Sequence, residues 1–207
     1  MRGFAWGRGV GFSTEDGGHS WVNREVKSLF VEGSPRPVVD EGGRLWVASR
    51  TMRNSASQFW LTVLDSSFRE MLKLAAPGGI DRMVPHGMGV WALGRDGGYG
   101  EATLWQVEAS PDRPPRIERL AAINHDLPIG LIRHGSQVAV ALAHIDGLTS
   151  TRYVLAGDAS GDRANWRRYE LGHNDSLEAI CLGPADELWV AGRDWLWRLS
   201  SGEASQR

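Results

Sequence analysis

The chain contains a single cysteine, Cys181, among its 207 residues. One cysteine cannot form an internal disulfide bond, so the fold has to be held together by its core, as is typical of proteins in a reducing compartment. Cys181 lies within an apolar run, where a small buried side chain is expected rather than a reactive thiol.

Long apolar segments are absent as well. No window approaches the roughly 18 consecutive apolar residues of a membrane-spanning helix, and the first residues do not form the apolar run of a secretory signal. The formal net charge is −2, which gives no overall attraction to nucleic acid or to an anionic membrane. We therefore predict a cytoplasmic protein that binds neither nucleic acid nor membranes.

Recognisable catalytic and metal-binding motifs are also missing. The six histidines show no ligand spacing, and no G-x-S-x-G nucleophile motif is present. The acidic pairs Asp40-Glu41 and Asp186-Glu187 lie in predicted turns, where they are expected to be solvated. The sequence thus predicts no metal, no cofactor and no enzymatic activity.

Tryptophan and glycine, in contrast, are abundant, with 10 and 26 residues respectively. Large rings combined with many turn-forming residues are typical of short strands joined by tight turns. Charged residues make up 23% of the chain without a long like-charge block, which is ordinary globular composition. The composition and length predict a single all-β domain over residues 1–207.

A segment with the pattern apolar-Trp-apolar-small-small-Arg recurs along the chain. Its three close copies occupy residues 45–50, 90–95 and 188–193. Two weaker copies place Phe4 and Ala139 at the tryptophan position. The steps from residue 4 to 46, 46 to 91, 91 to 139 and 139 to 189 are 42, 45, 48 and 50 residues long. A period of roughly 40 to 50 residues is typical of a β-propeller.

Further strand-like runs surround each copy. A short apolar run and a turn before the copy predict a hairpin, and one or two runs after it predict a third and a fourth strand. Residues 67–76 partly fit a helical period, but their place in the repeat favours a strand. We predict a small propeller of about five blades with up to four antiparallel strands each, at approximately 3–31, 35–76, 80–122, 128–172 and 177–201.

The first and last predicted blades are incomplete. The first lacks its opening strand, and the last lacks a convincing fourth strand because the final residues are polar. Three arrangements remain open: a ring of five blades of which two are trimmed, an open arc closed by a partner or a second copy, and a chain whose natural start lies upstream. An unclosed ring would leave strand edges to be covered or paired.

A turn motif carries a family resemblance. Residues 14–21 read T-x-D-x-G-x-x-W, with Thr14, Asp16, Gly18 and Trp21 at the defined positions. This resembles the Asp-box, or BNR repeat, of sialidases, sortilin-type receptors and photosystem-assembly propellers. The resemblance implies a hairpin between the third and fourth strands of a blade, with a structural role in which the aspartate caps the turn, glycine supplies a positive φ and the ring covers the hairpin.

A basic residue recurs at the end of the second strand of each predicted blade. These rim bases are Arg8, Arg50, Arg95, His144 and Arg193. In a closed ring they would emerge on one rim, together with Tyr99 in an adjacent loop, and could bind a carboxylate, a phosphate or an acidic protein surface. The alternative is that each base lies over a neighbouring ring or bonds a local carbonyl.

Two classes of function remain open at this point. The first is a non-enzymatic propeller that binds another protein through its rim loops, with a bacterial toxin-neutralising immunity protein as the candidate within that class. The second is a sialidase-like or other glycan-directed hydrolase, or a lectin-like glycan-binding propeller, as the Asp-box resemblance implies. The chain lacks the length, the R-I-P segment and the three-arginine site of the sialidases, and fold alone does not transfer function.

Overall fold

A computed structural model describes most of the chain. The described residues are 3–7, 10–25, 37–53, 56–96, 100–110, 113–124, 126–146, 149–158, 166–173, 177–183, 187–193 and 195–199. All regular secondary structure in these ranges is β. No helix in them is long and apolar enough to cross a membrane.

Within the described ranges, eighteen strands form five antiparallel sheets, and hydrogen-bonded neighbours in each sheet follow one another in the chain. The first sheet contains β1 (Gly3–Gly7), β2 (Val10–Thr14) and β3 (Val22–Glu25). The second contains β4 (Val38–Val39), β5 (Leu45–Arg53), β6 (Ala56–Leu64) and β7 (Glu70–Ala75). The third contains β8 (Gly78–His86), β9 (Gly89–Asp96), β10 (Ala102–Ser110) and β11 (Arg113–Asn124). The fourth contains β12 (Leu127–His134), β13 (Gln137–Asp146), β14 (Thr149–Asp158) and β15 (Arg167–His173). The fifth contains β16 (Leu177–Leu182), β17 (Leu188–Gly192) and β18 (Leu196–Leu199).

The second strand of each middle sheet is buried on both faces, because alternate side chains enter different cores. In β5, Trp46 and Ala48 pack against the third sheet, whereas Leu45 and Val47 enter a smaller core with Phe4 of the first sheet. The apolar runs that form the sequence repeat are therefore strands packed between two neighbouring sheets.

The same alternation continues along the row of sheets. In β9, Ala92 packs toward the second sheet and Trp91 toward the fourth. In β13, Val140 packs toward the third sheet and Ala139 toward the fifth. Each tryptophan position of these middle repeats thus faces the following sheet, and the first strands β4, β8, β12 and β16 lie next to one another in that order.

Several sequence predictions are confirmed by this architecture. The chain is all-β, and five sheets of three or four antiparallel strands occur. Residues 70–75 form strand β7, as their place in the repeat predicted, rather than a helix. Among the described residues, the first and last sheets have three strands each; the first begins with the strand that contains Phe4, and the last ends with β18.

The expectation that Cys181 is buried is wrong, because its side chain is exposed. In β16, Ile180 and Leu182 pack toward the fourth sheet. Since side chains alternate along a strand, Cys181 points to the opposite face. An apolar run predicts a strand but does not show whether both of its faces are covered.

Candidate functional site

The T-x-D-x-G-x-x-W motif of residues 14–21 forms a tight turn between β2 and β3. Asp16 Oδ1 accepts hydrogen bonds from Ser20 N at 3.0 Å and from Thr14 Oγ1 at 2.7 Å, and Asp16 Oδ2 accepts one from Ser20 Oγ at 2.6 Å. The Trp21 indole donates to Gly18 O at 3.1 Å. Gly18 adopts a φ of 96°, in the left-handed region that favours glycine. The motif therefore closes a local network that stabilises the hairpin.

These hydrogen bonds act on the protonation of Asp16. Three hydrogen bonds hold the pKa of the Asp16 carboxyl far below its usual range: the largest effect comes from the Ser20 hydroxyl, followed by the Ser20 backbone N–H and the Thr14 hydroxyl. Because the folded-state pKa is lowered, the ionised carboxylate stabilises the turn above the ordinary value of 3.8. This contribution declines progressively below pH 3.8 and is gone once the pH has fallen through the lowered value.

We expect the Asp16 carboxyl carbon to keep its ionised chemical shift in an NMR titration through the range in which exposed aspartates titrate. The Ser20→Ala variant removes the strongest of its hydrogen bonds and should move the pKa of Asp16 upward toward the ordinary value. Titration of Asp16 in the wild-type protein near pH 3.8 would show that the turn network does not form in solution.

The rim bases of the three middle sheets lie toward one end of the molecule. Glu41 N donates to Gly87 O at 3.0 Å, so the turns after β4 and β8 meet. Arg133, near the end of β12, lies 3.5 Å from Pro85 O, near the end of β8. These turns mark the turn end of the molecule, and β5, β9 and β13 all start there and run in the same direction. The hairpins that follow these strands, with the rim bases beside them, emerge at the opposite end.

Each rim base of the middle sheets has a local partner. Arg50 is exposed and donates to Ser57 Oγ at 2.9 Å, and its guanidinium lies 5.9 Å from the ring centroid of Phe59. Arg95 forms an ion pair with Asp81 at 3.9 Å, and both side chains are partly buried. Burial raises the pKa of Asp81, and Arg95 and Arg82 partly oppose this shift. Arg50 thus lies near a ring, the kind of contact that the alternative described for these bases, whereas Arg95 pairs with a carboxylate.

His144 belongs to a buried polar network. Its Nδ1 lies 2.7 Å from Asp126 Oδ1, and Asp126 is buried. The hydroxyl of Tyr153, which is fully buried, donates to the other carboxylate oxygen of Asp126. The His144 side chain itself remains half exposed. This arrangement orients the imidazole toward the hairpin end of the fourth sheet.

Of the remaining predicted binding residues, Arg193 lies directly after β17, is exposed and is not free of partners. Arg8 and Tyr99 lie outside the described residues. The structure therefore brings Arg50, Arg95 and His144 to one end of the molecule but gives each its own partner. Within the described ranges, no group of three or more His, Cys, Asp or Glu side chains could hold a metal ion.

A cavity that sequence reasoning missed lies between the third and fourth sheets. It has a volume of about 360 Å³ and is lined by His86, Trp91, Arg133 and four neighbouring residues. The His86 and Trp91 rings are 4.9 Å apart at 35°, and the Arg133 guanidinium lies 5.2 Å from the Trp91 ring centroid. In the described part of the chain, His86 Nδ1, Trp91 Nε1 and Arg133 Nε are buried without a hydrogen-bond partner. Buried polar atoms are rarely left unpaired, so this cavity is a second candidate site.

Burial also changes the ionisation of His86. It lowers the pKa of the imidazole, and the neighbouring Arg133 lowers it further. Glu108 and Glu41 oppose this shift, but the pKa stays below its ordinary value, so the ring is mostly neutral at pH 7. Arg133 is the only permanently charged side chain among the described residues that line the cavity. In the sequence, the only sign of this site was that His86 and His134 occupy matching turns of two repeats.

Comparison with protein-family models and with curated proteins finds no match for this chain.

Proposed function

We propose that the chain is a single-domain β-propeller of about five blades and that its function is to bind another protein rather than to catalyse a reaction. The support for the propeller is the row of sheets, in which first strands are neighbours and alternate faces of each second strand enter successive cores. The turn after β2, which Asp16 caps and in which two glycines have positive φ, supports a relationship to Asp-box propellers.

The observation that carries the binding proposal is the chemistry at the ends of the second strands. Met52 and Ile145 project from equivalent hairpins of the second and fourth sheets and are 63% and 61% exposed. They lie close in sequence to Arg50 and His144, which are also exposed. Exposed apolar side chains beside bases, on loops held by a rigid sheet, are typical of a protein-binding surface. We define this surface as the hairpin rim.

A partner with an acidic surface fits the hairpin rim best, because the bases would steer it electrostatically while Met52 and Ile145 supply apolar contact area. A secreted toxin neutralised by this chain is the specific partner that we propose within this class. Arg50 and Arg95 would act at the edge of such an interface, since their local partners already fix their positions.

Affinity capture from cells that naturally express the chain tests this proposal. We expect the tagged wild-type protein to recover one partner in about equimolar amount. The double variant Met52→Asp/Ile145→Asp should reduce that recovery by about tenfold or more, because charges replace apolar contacts. The control is Met71→Asp, which places one aspartate at a methionine that is 53% exposed on β7, the fourth strand of the second sheet. It should recover the partner in full.

Two results would contradict the proposal. One is that no protein is recovered in stoichiometric amount. The other is that the rim variant and the Met71→Asp control recover the partner equally well, which would place the interface elsewhere on the protein.

A further inference from the structure

The strand pairs that contain Trp46 and Trp91 have corresponding registers, although the turns that join their strands differ in length. Val38 pairs with Trp46 across β4 and β5, and Val84 pairs with Trp91 across β8 and β9. Two residues after each valine come Asp40 and His86 respectively. The second and third sheets therefore place an aspartate and a histidine at the same position relative to their tryptophans.

In the second sheet this position supplies a carboxylate to the indole. Asp40 Oδ2 accepts hydrogen bonds from Trp46 Nε1 at 2.8 Å and from Arg44 Nε at 2.9 Å. The Arg44 guanidinium lies 5.9 Å from the centroid of the Trp46 ring. Asp40 and Arg44 are both buried. The chain thus contains its own example of a carboxylate held by an indole N–H and an arginine.

In the third sheet the donors are present and the carboxylate is missing. Trp91 is 4% exposed, and the described residues offer no acceptor to its Nε1. Arg133, which comes from the fourth sheet, lies over the Trp91 ring much as Arg44 lies over Trp46, and its Nε also lacks a partner. His86 stacks on Trp91 instead of accepting its hydrogen bond.

Trp91 and Arg133, which carry these covered donor atoms, both line a cavity that is large enough for a small ligand. The cavity of about 360 Å³ is lined by Trp91 and Arg133 together with Leu120 and Ser136. Ligand pockets in proteins typically have volumes of about 300–1,000 Å³, with mainly apolar walls and a few polar groups. The Trp91 ring and Leu120 offer apolar contact, and the guanidinium offers one positive charge.

We propose that this cavity binds a small carboxylic acid, whose carboxylate takes at Trp91 and Arg133 the place that Asp40 holds at Trp46 and Arg44. A planar carboxylate suits an arginine and an indole N–H, both of which only donate. A monoanion matches the single cation, because His86 is mostly neutral at pH 7. The apolar walls select an acid with an apolar body. The site lies at the turn end of the sheets, opposite the hairpin rim, and is independent of the protein partner proposed above.

Titration of the ¹⁵N-labelled protein with benzoate tests this site through the tryptophan indole N–H signals. The Trp91 signal, assigned from its loss in Trp91→Phe, should move in a saturable way, because a new acceptor pairs with its N–H. Trp46 is an internal control: its N–H is already bonded to Asp40, so its signal should stay fixed. Benzamide, which has the same shape without the charge, should bind at least about tenfold more weakly.

Two variants sharpen the test. Arg133→Leu should weaken benzoate binding by about tenfold or more, since the cation is lost. His86→Asp should place an internal carboxylate beside Trp91, move its N–H signal without ligand and abolish the benzoate response. A Trp91 signal that does not respond to benzoate in the wild-type protein would overturn the proposal without any variant. Equal binding of benzoate and benzamide, or full binding by a folded Arg133→Leu protein, would also overturn it.

Discussion

Replacement of Asp40 by alanine is expected to lower the free energy of unfolding by about 3–5 kcal/mol. The Asp40 side chain accepts hydrogen bonds from Trp46 Nε1, from Arg44 N and from the Arg44 guanidinium. Arg44 is itself 8% exposed, so the variant leaves a buried cation without its counter-charge. Urea denaturation followed by tryptophan fluorescence measures the change.

The effect should be large because Arg44 joins two sheets. Its two terminal nitrogens each lie 2.6 Å from a backbone carbonyl of the third sheet, Ala109 O and Met88 O. Asp40 fixes the guanidinium in the orientation that reaches both carbonyls. Loss of Asp40 therefore weakens the contact between the second and third sheets as well as the turn itself.

Asp65→Ala provides the matched control for Asp40→Ala. Asp65 also accepts backbone hydrogen bonds in a turn, from Ser67 N and Arg69 N. It is only half-buried, and both of these bonds come from the backbone rather than from a guanidinium. Its replacement should cost about 1 kcal/mol. Equal losses for the two variants would mean that the Arg44 contact across the sheets contributes nothing beyond an ordinary turn.

The strands of this fold could be predicted from the sequence because their signals are local. The alternation of apolar residues, the turn glycines and the recurring tryptophan each act within about ten residues, and they placed the strands of all five sheets. The turn at residues 14–21 could be predicted for the same reason, since Asp16 bonds residues no more than four positions away.

The cavity beside Trp91 could not be predicted because its parts meet only after the sheets pack. Arg133 lies 42 positions after Trp91 in the chain and on another sheet. The missing carboxylate is visible only when the pairing of β8 with β9 is compared with that of β4 with β5. The sequence around His86 does not indicate that the indole N–H of the neighbouring Trp91 lacks a hydrogen-bond acceptor.

The rim bases illustrate the same limit. Their spacing predicted that they would lie toward the ends of second strands, and Arg50, Arg95 and His144 do lie in β5, β9 and β13. Their partners depend on strand register and on loop position, as with Asp126, which precedes β12 and reaches His144 on β13. The sequence could therefore suggest a row of bases but not the hydroxyl, ring and carboxylate partners that hold them.

Replacement of the repeat tryptophans by alanine should lower the free energy of unfolding by different amounts, although these tryptophans occupy equivalent positions in the sequence repeat. Trp46 is fully buried between the second and third sheets, so Trp46→Ala is expected to cost about 3–5 kcal/mol through lost burial and the cavity left behind.

Trp189 differs because it pairs with the exposed Cys181 on the face of β17 that points away from the fourth sheet. The Arg198 guanidinium lies 5.8 Å from the centroid of the Trp189 ring. Trp189 is half-buried, so Trp189→Ala should cost only about 1–2 kcal/mol. Thermal or urea unfolding of the two variants in parallel measures the difference, with circular dichroism to show that both keep their β structure. Equal losses would mean that another surface covers Trp189 in solution as completely as the third sheet covers Trp46. This face of the fifth sheet would then be covered in solution, by the first sheet if the propeller closes into a ring or by a second molecule if it does not.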